Sequence, residues 1–304
     1  MPRSAISDDD VVLVVAHDAG GANILVHLVD LLPGQLYFSM TGPALRIFNE
    51  RFGVNMVRDR TLESIDQATC LVVGTSELSN DEWLAMRHAN ETGKPVYAFL
   101  DHWINYSQRF VRNGIAVQPT EIWVGDGYAH DLAVAEFPGT HVRLHANPYS
   151  AEILREAGRL RIRSADGITR RVLYLTEPAG RIARNLDAIP GIKGYTEFEA
   201  VRYFLDNALR AFPQVESLTF RLHPSEESGK YAELLSEFPG MPIVISSATL
   251  ASDLAHADAV VGTHSNVLAI AISTGIPAIT AIPPEGIPCI LPQREVARFD
   301  TLLD

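Results

Sequence analysis

The chain has 304 residues, of which 47% are apolar and 20% charged, and a formal charge of −12. That length exceeds one ordinary hydrophobic core and predicts two domains of roughly 150 residues. The negative charge argues against nucleic acid as a partner, because such binding rests on clustered Lys and Arg, and the densest basic stretch (Arg161, Arg163, Arg170 and Arg171) flanks Asp166-Gly167 like a solvated linker.

The first ten residues carry no apolar signal core and the run 11–15 is too short to cross a bilayer, so a cytoplasmic protein with no integral membrane segment is expected. Short β-rich apolar runs then alternate with segments of helical period, the pattern of parallel sheets with crossover helices. In the first half, strands are predicted at 11–16, 36–39, 70–74, 96–100 and 121–124, and helices at 22–32, 43–52, 81–92, 128–136 and 151–157. Periodicity lapses between 158 and 171, which places a linker between a first domain, 1–160, and a second, 171–304. The pattern restarts with strands at 172–176, 218–222, 243–246, 259–262 and 278–281, and helices at 196–212, 228–238, 250–255 and 266–274; residues 292–303 read as a last packing helix. The expected fold is α/β: two Rossmann-like domains of about five strands each, with parallel sheets facing an interdomain cleft. Cys70 and Cys289 are far apart and outside metal-ligand spacing, so packed thiols and no metal site are expected.

In open parallel sheets, ligands bind in the crevice at the carboxyl ends of the strands, so polar strand ends are the candidates for chemistry. The first strand ends in His17-Asp18-Ala19-Gly20-Gly21. The glycine pair lets the backbone approach a ligand ahead of a helix N-terminus that favours anions, although the G-x-G-x-x-G spacing of a dinucleotide site is absent. Asp18 fits either a substrate contact or a helix cap. Asp101 and His102 follow the fourth strand, beside Trp103 and Tyr106, which fit either stacking on a sugar or base or plugging a loop. Asp126, between Gly125 and Gly127, fits a general base for a substrate hydroxyl or a plain turn, with Asp18 and Asp101 as the other candidates for the base.

In the second half, Glu177 ends the first strand and fits a ribose contact or a loop-shaping role. Arg221 and His223 alternate onto one face, and Pro224 biases His223 towards extended geometry. Ser246 and Ser247 end the next strand, and Thr263, His264, Ser265 and Asn266 stand between a buried strand and a helix of small residues that leads to Gly275-Ile276-Pro277. Together these donors form a set suited to phosphate.

Val261-Gly262-Thr263-His264-Ser265-Asn266 and Gly275-Ile276-Pro277 resemble the donor half of GT-B glycosyltransferases. More narrowly, His223-Pro224 resembles the His-Pro motif of bacterial sialyltransferases, Kdo transferases and the glycerophosphate polymerases of cell-wall and capsule synthesis. The resemblance implies that His223 contacts the donor phosphate, that Ser246-Ser247 assist it and that Asp126-Gly127 supply the base, although Gly125 stands where a second acid is usual.

The resulting expectation is a metal-independent glycosyltransferase with no cofactor. It would move a sugar, such as a nonulosonate from a CMP-sugar, from a nucleotide-sugar donor to a glycan or protein acceptor. A sugar-nucleotide epimerase or hydrolase on the same frame is the alternative, with Asp18, Asp101 and Asp126 working on the sugar. A non-catalytic nucleotide-sugar-binding accessory subunit is a third.

Overall fold

A computed structural model of the protein describes residues 6–53, 62–160, 166–178, 194–284 and 286–303. Arg161 and Arg163 of the expected linker, and Ala179-Gly180 after Glu177, lie outside the described residues. The chain divides into two units, the first ending at Ala151 and the second starting at Glu152. This division falls earlier than the expected linker, inside the helix Pro148–Leu160.

In the first unit the strands are β1 (Val11–Ala16), β2 (Gln35–Met40), β3 (Cys70–Val73), β4 (Val96–Leu100), a hairpin of β5 (Val111–Arg112) and β6 (Ile115–Ala116), β7 (Glu121–Val124) and β8 (His141–Leu144). Six of them form one sheet in the order β2-β1-β3-β4-β7-β8. Every pairing in it is parallel, with Val12 opposite Leu36 on one side and Cys70 on the other. Alternate residues supply two separate cores, as a sheet covered on both faces requires. Leu13, Val15, Leu71, Val73 and Leu100 pack with Trp83, Met86 and Phe110. Val12, Val14, Val72 and Phe99 pack with Leu25, Leu28 and Phe48.

The sixth strand, β8, escapes the apolar-run criterion because it is a polar edge. His141 and Arg143 alternate with Val142 and Leu144, and both polar side chains pair with the buried Glu121 of β7. Trp123 Nε1 donates to the same carboxylate at 2.7 Å.

The second unit contains β9 (Arg171–Leu175), β10 (Ser217–Arg221), β11 (Ile243–Ile245), β12 (Ala259–Gly262), β13 (Ala278–Thr280) and β14 (Ala297–Arg298), in the order β11-β10-β9-β12-β13-β14 and again all parallel. Its long helix, Glu197–Ala211, starts at a capping box in which Thr196 and Glu199 satisfy each other's backbone donors. That helix packs Phe204 against Tyr174 at 4.5 Å between ring centroids and sets Val201, Leu205 and Ala208 into the same core.

The expected helix over 292–303 is instead the short strand β14 followed by a single 3-10 turn, Phe299–Leu302. Two forces decide this. Ala297 completes the ladder beside Ile279, and the fully buried Phe299 packs edge-on to Tyr203 and against Phe204. The expected helix at 228–238 shortens to Ala232–Ser236, after Gly229 takes a positive φ of 86°. Among the described residues no helix is long and apolar enough to cross a membrane.

Each sheet has one place where the strand order reverses, between β1 and β3 in the first and between β9 and β12 in the second. Such switch points open the crevices in which doubly wound folds bind ligands.

Candidate functional site

In unit two, Glu177 follows β9 and reaches across the switch point to the loop after β12. Its carboxylate accepts from the Thr263 hydroxyl, from Thr263 N at 3.3 Å and from His264 N at 2.6 Å. Burial raises its pKa, and these donors oppose the rise. Of the two roles the sequence offers Glu177, the structure displays the loop-shaping one. The same network withdraws two expected phosphate donors into the interior. Thr263 and His264 are each 3% exposed. His264 Nδ1 accepts from Ile290 N at 3.3 Å, so its other ring nitrogen, 2.8 Å from the Tyr195 hydroxyl, carries the proton.

What remains at the mouth of this crevice is Ser265 with the helix Asn266–Ser273, where the Ser265 hydroxyl accepts from Val267 N at 3.3 Å as the N-cap. The carbonyl of Thr263 accepts from Thr280 Oγ1 at 2.8 Å, so the loop is fixed from both sides before the helix begins.

His223 emerges from the end of β10 and is exposed. Its Nδ1 accepts from Ser225 N at 3.2 Å and lies 2.7 Å from the Ser225 hydroxyl, which places the ring proton on Nε2. The backbone here is held by a residue the sequence reading did not single out. Glu226 accepts from His223 N at 3.1 Å with one oxygen, while the other takes Lys230 Nζ at 2.8 Å and Tyr231 Oη at 2.5 Å. Burial pushes the Glu226 carboxyl up, but these donors and the Thr176 hydroxyl outweigh it and hold the pKa below its ordinary value. The signal was available: an acid three residues after a strand-end backbone donor has the spacing of a capping box.

Arg221 is committed elsewhere. Its Nη1 donates to the Ala248 carbonyl at 2.8 Å and to Asp253 at 2.7 Å, and Ser246 donates to that same carboxylate at 2.7–2.8 Å. Two expected phosphate ligands therefore meet a buried acid. Ser247, next in the chain, is exposed.

In unit one the crevice lies between the ends of β1 and β3. Asp18 occupies the N-cap position of the helix Ala19–Leu28 with extended backbone, yet its side chain makes no cap bond and is 30% exposed. Asp18 is thus a partly exposed carboxylate at a cap position, 3.9 Å from His17 Nε2. Gly20 and Gly21 lie inside the first turn of that helix rather than before it, and Gly20 serves a close approach. A Cβ on Gly21 would stand 3.5 Å from the Gly74 Cα, and one on Gly20 would stand 2.1 Å from Asp101 Oδ2. The anion at this helix start is therefore the protein's own Asp101.

Asp101 is held there by Arg109, which is 8% exposed and had no signal in the sequence. Arg109 Nη1 donates to Asp101 Oδ1 at 2.6 Å and to the Thr75 carbonyl at 2.7 Å, and Nε donates to the Ile104 carbonyl at 3.2 Å. Because Asp101 is short and pinned, Gly20→Ala is expected to destabilise the protein by about 1–3 kcal/mol through overpacking alone. A denaturant melt unchanged from wild type would show that the carboxylate can step aside.

His102 stands beside this pair with Nδ1 accepting from Trp103 N at 2.9 Å, and burial depresses its pKa to about 4, so the ring is a neutral donor at physiological pH. Asp126 is engaged within its own unit. One oxygen caps the helix Gly127–Glu136 through Ala129 N at 2.8 Å, and the other accepts from Trp103 Nε1 at 2.9 Å. Asp126 is the N-cap of that helix, and Trp103 spends its polar tip on it. Tyr106 is buried in the core, as a plug would be.

No protein-family model matches the chain, and no curated protein matches its sequence. Solved structures do share its fold. The UDP-GlcNAc 2-epimerase of Neisseria meningitidis, bound to UDP-GlcNAc, is 11% identical and superposes with a TM-score of 0.62 over 96% of this chain and 89% of that one. The UDP-N-acetylglucosamine 2-epimerase of Rickettsia bellii is 13% identical, with a TM-score of 0.53 over 88% of this chain and 78% of that one. The chain thus has the two-domain, Rossmann-like GT-B architecture.

Proposed function

We propose that this protein acts on a nucleotide sugar as a sugar-nucleotide epimerase or hydrolase, for which unit two carries donors suited to a phosphate and unit one carries carboxylates suited to a sugar. The observation that carries this reading is Asp18, a carboxylate at a sheet switch point that occupies a cap position without capping. A second carboxylate, Asp101, and a neutral imidazole, His102, end the strand beyond. Carboxylates and a neutral imidazole donor are groups of the kind that move protons at a sugar ring. Support also comes from the fold, which this chain shares along nearly its whole length with an enzyme that holds UDP-GlcNAc.

In unit two the residues suited to a phosphate are His223, through Nε2–H, with Ser247 and the helix start at Ser265 and Asn266. As the bond between sugar and phosphate breaks, negative charge grows on the phosphate. Donors already aimed there stabilise that state more than the ground state. One observation favours a second reading, the glycosyltransferase: the His-Pro turn is exposed at the end of β10, as phosphate contact in the His-Pro transferases would require.

Incubating UDP-GlcNAc, and then CMP-, GDP- and CDP-linked sugars, without any acceptor separates the two by proton NMR. A new epimer or acceptor-free release of nucleotide is the expected result. Nucleotide release that appears only when an acceptor is added would transfer the assignment to the second reading. Absence of both turnover and thermal stabilisation across the panel would defeat both, since a ligand of the folded state must raise the melting temperature.

A further inference from the structure

Thr176, the residue that follows β9, is 3% exposed and is not among the donors that the sequence singles out. Its backbone N–H donates to the Arg221 carbonyl at 3.0 Å, which extends the pairing of β9 with β10 by one bond beyond Leu175. The side chain therefore stands beside the turn that starts at His223. Its hydroxyl has one proton, and the Glu226 carboxylate at 2.5 Å takes it in preference to the Arg221 carbonyl at 3.3 Å. The same oxygen then accepts from His223 N at 3.1 Å.

Glu226 completes the hold on that turn. Its own N–H donates to the His223 carbonyl at 2.9 Å, and its carboxylate, which is 2% exposed, shares the His223 N–H with Thr176. Both backbone polar groups of His223 are thus engaged, and Ser225 N meets the ring at Nδ1, so the direction of Nε2–H is set before any ligand arrives. The next residue of the chain treats the other loop of this crevice in the same way. Glu177 accepts from Thr263 N and His264 N, so consecutive residues at the end of β9 fix the loops that follow both flanking strands, β10 and β12.

We propose that Thr176 is a positioning residue for phosphate recognition, one that acts through His223 by fixing the peptide from which the imidazole projects. The role rests on the reading above that His223 meets a phosphate. A donor aimed in advance loses less freedom on binding and stabilises developing charge without reorganisation. Thr176 has no need to touch the ligand for this. Its part lies in the hydroxyl, which joins His223 N to Glu226.

Thr176→Val, which removes the hydroxyl at nearly constant volume, and Thr176→Ser, which keeps it, test the proposal against the wild-type protein. Without ligand, hydrogen exchange at the His223 amide should be protected in the wild type and in Thr176→Ser, and roughly three- to tenfold faster in Thr176→Val, the equivalent of one hydrogen bond. Equal exchange in all of them would overturn the proposal. With UDP and, separately, CMP as probes, calorimetric affinity should fall by a similar factor in Thr176→Val and not in Thr176→Ser. Adding Thr176→Val to His223→Ala should weaken binding no further than His223→Ala alone, because the hydroxyl acts through the ring. Additive losses would mean that Thr176 serves the ligand by another route, and they too would overturn the proposal. A wild-type protein that binds neither nucleotide refutes the phosphate reading beneath it, whereas equal binding by the wild type and Thr176→Val refutes the positioning role alone. Should Thr176→Val fail to fold, the wild-type amide decides: exchange at the rate of an open peptide would show that the turn is not held.

Discussion

Replacing His223 with alanine is expected to slow turnover of a nucleotide sugar by a hundredfold or more while leaving the melting temperature close to that of the wild-type protein. The two halves of that expectation have separate causes. His223 is exposed and its ring meets Ser225, two residues along the chain, so its loss opens no core cavity. The same exposure lets Nε2 meet a phosphate. Removing one preorganised donor from a developing oxyanion costs about 2.7–4 kcal/mol of barrier, which is the hundredfold. The rate is measured at saturating nucleotide sugar alongside a thermal melt. A folded variant that turns over at nearly the wild-type rate would remove His223 from the chemistry, whichever of the two reactions the protein performs.

The largest effect on stability should come from a residue that has no part in binding. Arg109→Ala deletes a buried guanidinium that donates to Asp101, to the carbonyls of Thr75 and Ile104 and to the Thr75 hydroxyl, and that faces Glu77 at 3.3 Å. Asp101 is 14% exposed and would keep its charge against the first turn of the helix Ala19–Leu28 with its cation gone. Removing one partner of a buried ion pair costs about 3–5 kcal/mol, more than the pair itself contributes, because the other charge is left uncompensated. For a domain of about 150 residues this lowers the melting temperature by roughly 6–20 °C. The decisive control is the double variant Arg109→Leu with Asp101→Leu. It should recover much of the loss, since the charge that remains without Arg109, on Glu77, is partly exposed. A single variant within a degree or two of wild type would mean that water replaces the guanidinium at no cost.

Much of the fold was legible because strands buried on both faces must be continuous apolar runs. β1 and β4 begin and end where hydrophobicity does. The same criterion misses β8, whose His141 and Arg143 pair with Glu121 on the neighbouring strand. It also makes a helix of the C-terminal stretch, where the pairing of Ala297 and the burial of Phe299 outweigh local propensity.

The candidate residues divide in a similar way. Asp18, Asp101, His102 and His223 were visible as polar residues at the ends of apolar strands. Whether each faces solvent or the interior was not. His264 and Thr263 read as phosphate donors yet are turned inward by Glu177, more than eighty residues earlier in the chain. Arg221 and Ser246 read as ligands yet spend donors on Asp253. Thr176 reaches His223 over a separation of 47 residues, and Arg109 reaches Thr75 over 34.

The sequence by itself determined the alternation of strands and helices, the two-domain class and the strand ends at which chemistry collects, because hydrophobic period and strand termination are local properties. Only the tertiary structure decided which of those polar groups are consumed by one another. A buried charge must find its partner wherever the folded chain brings one, and that distance in space is not written in the distance along the chain.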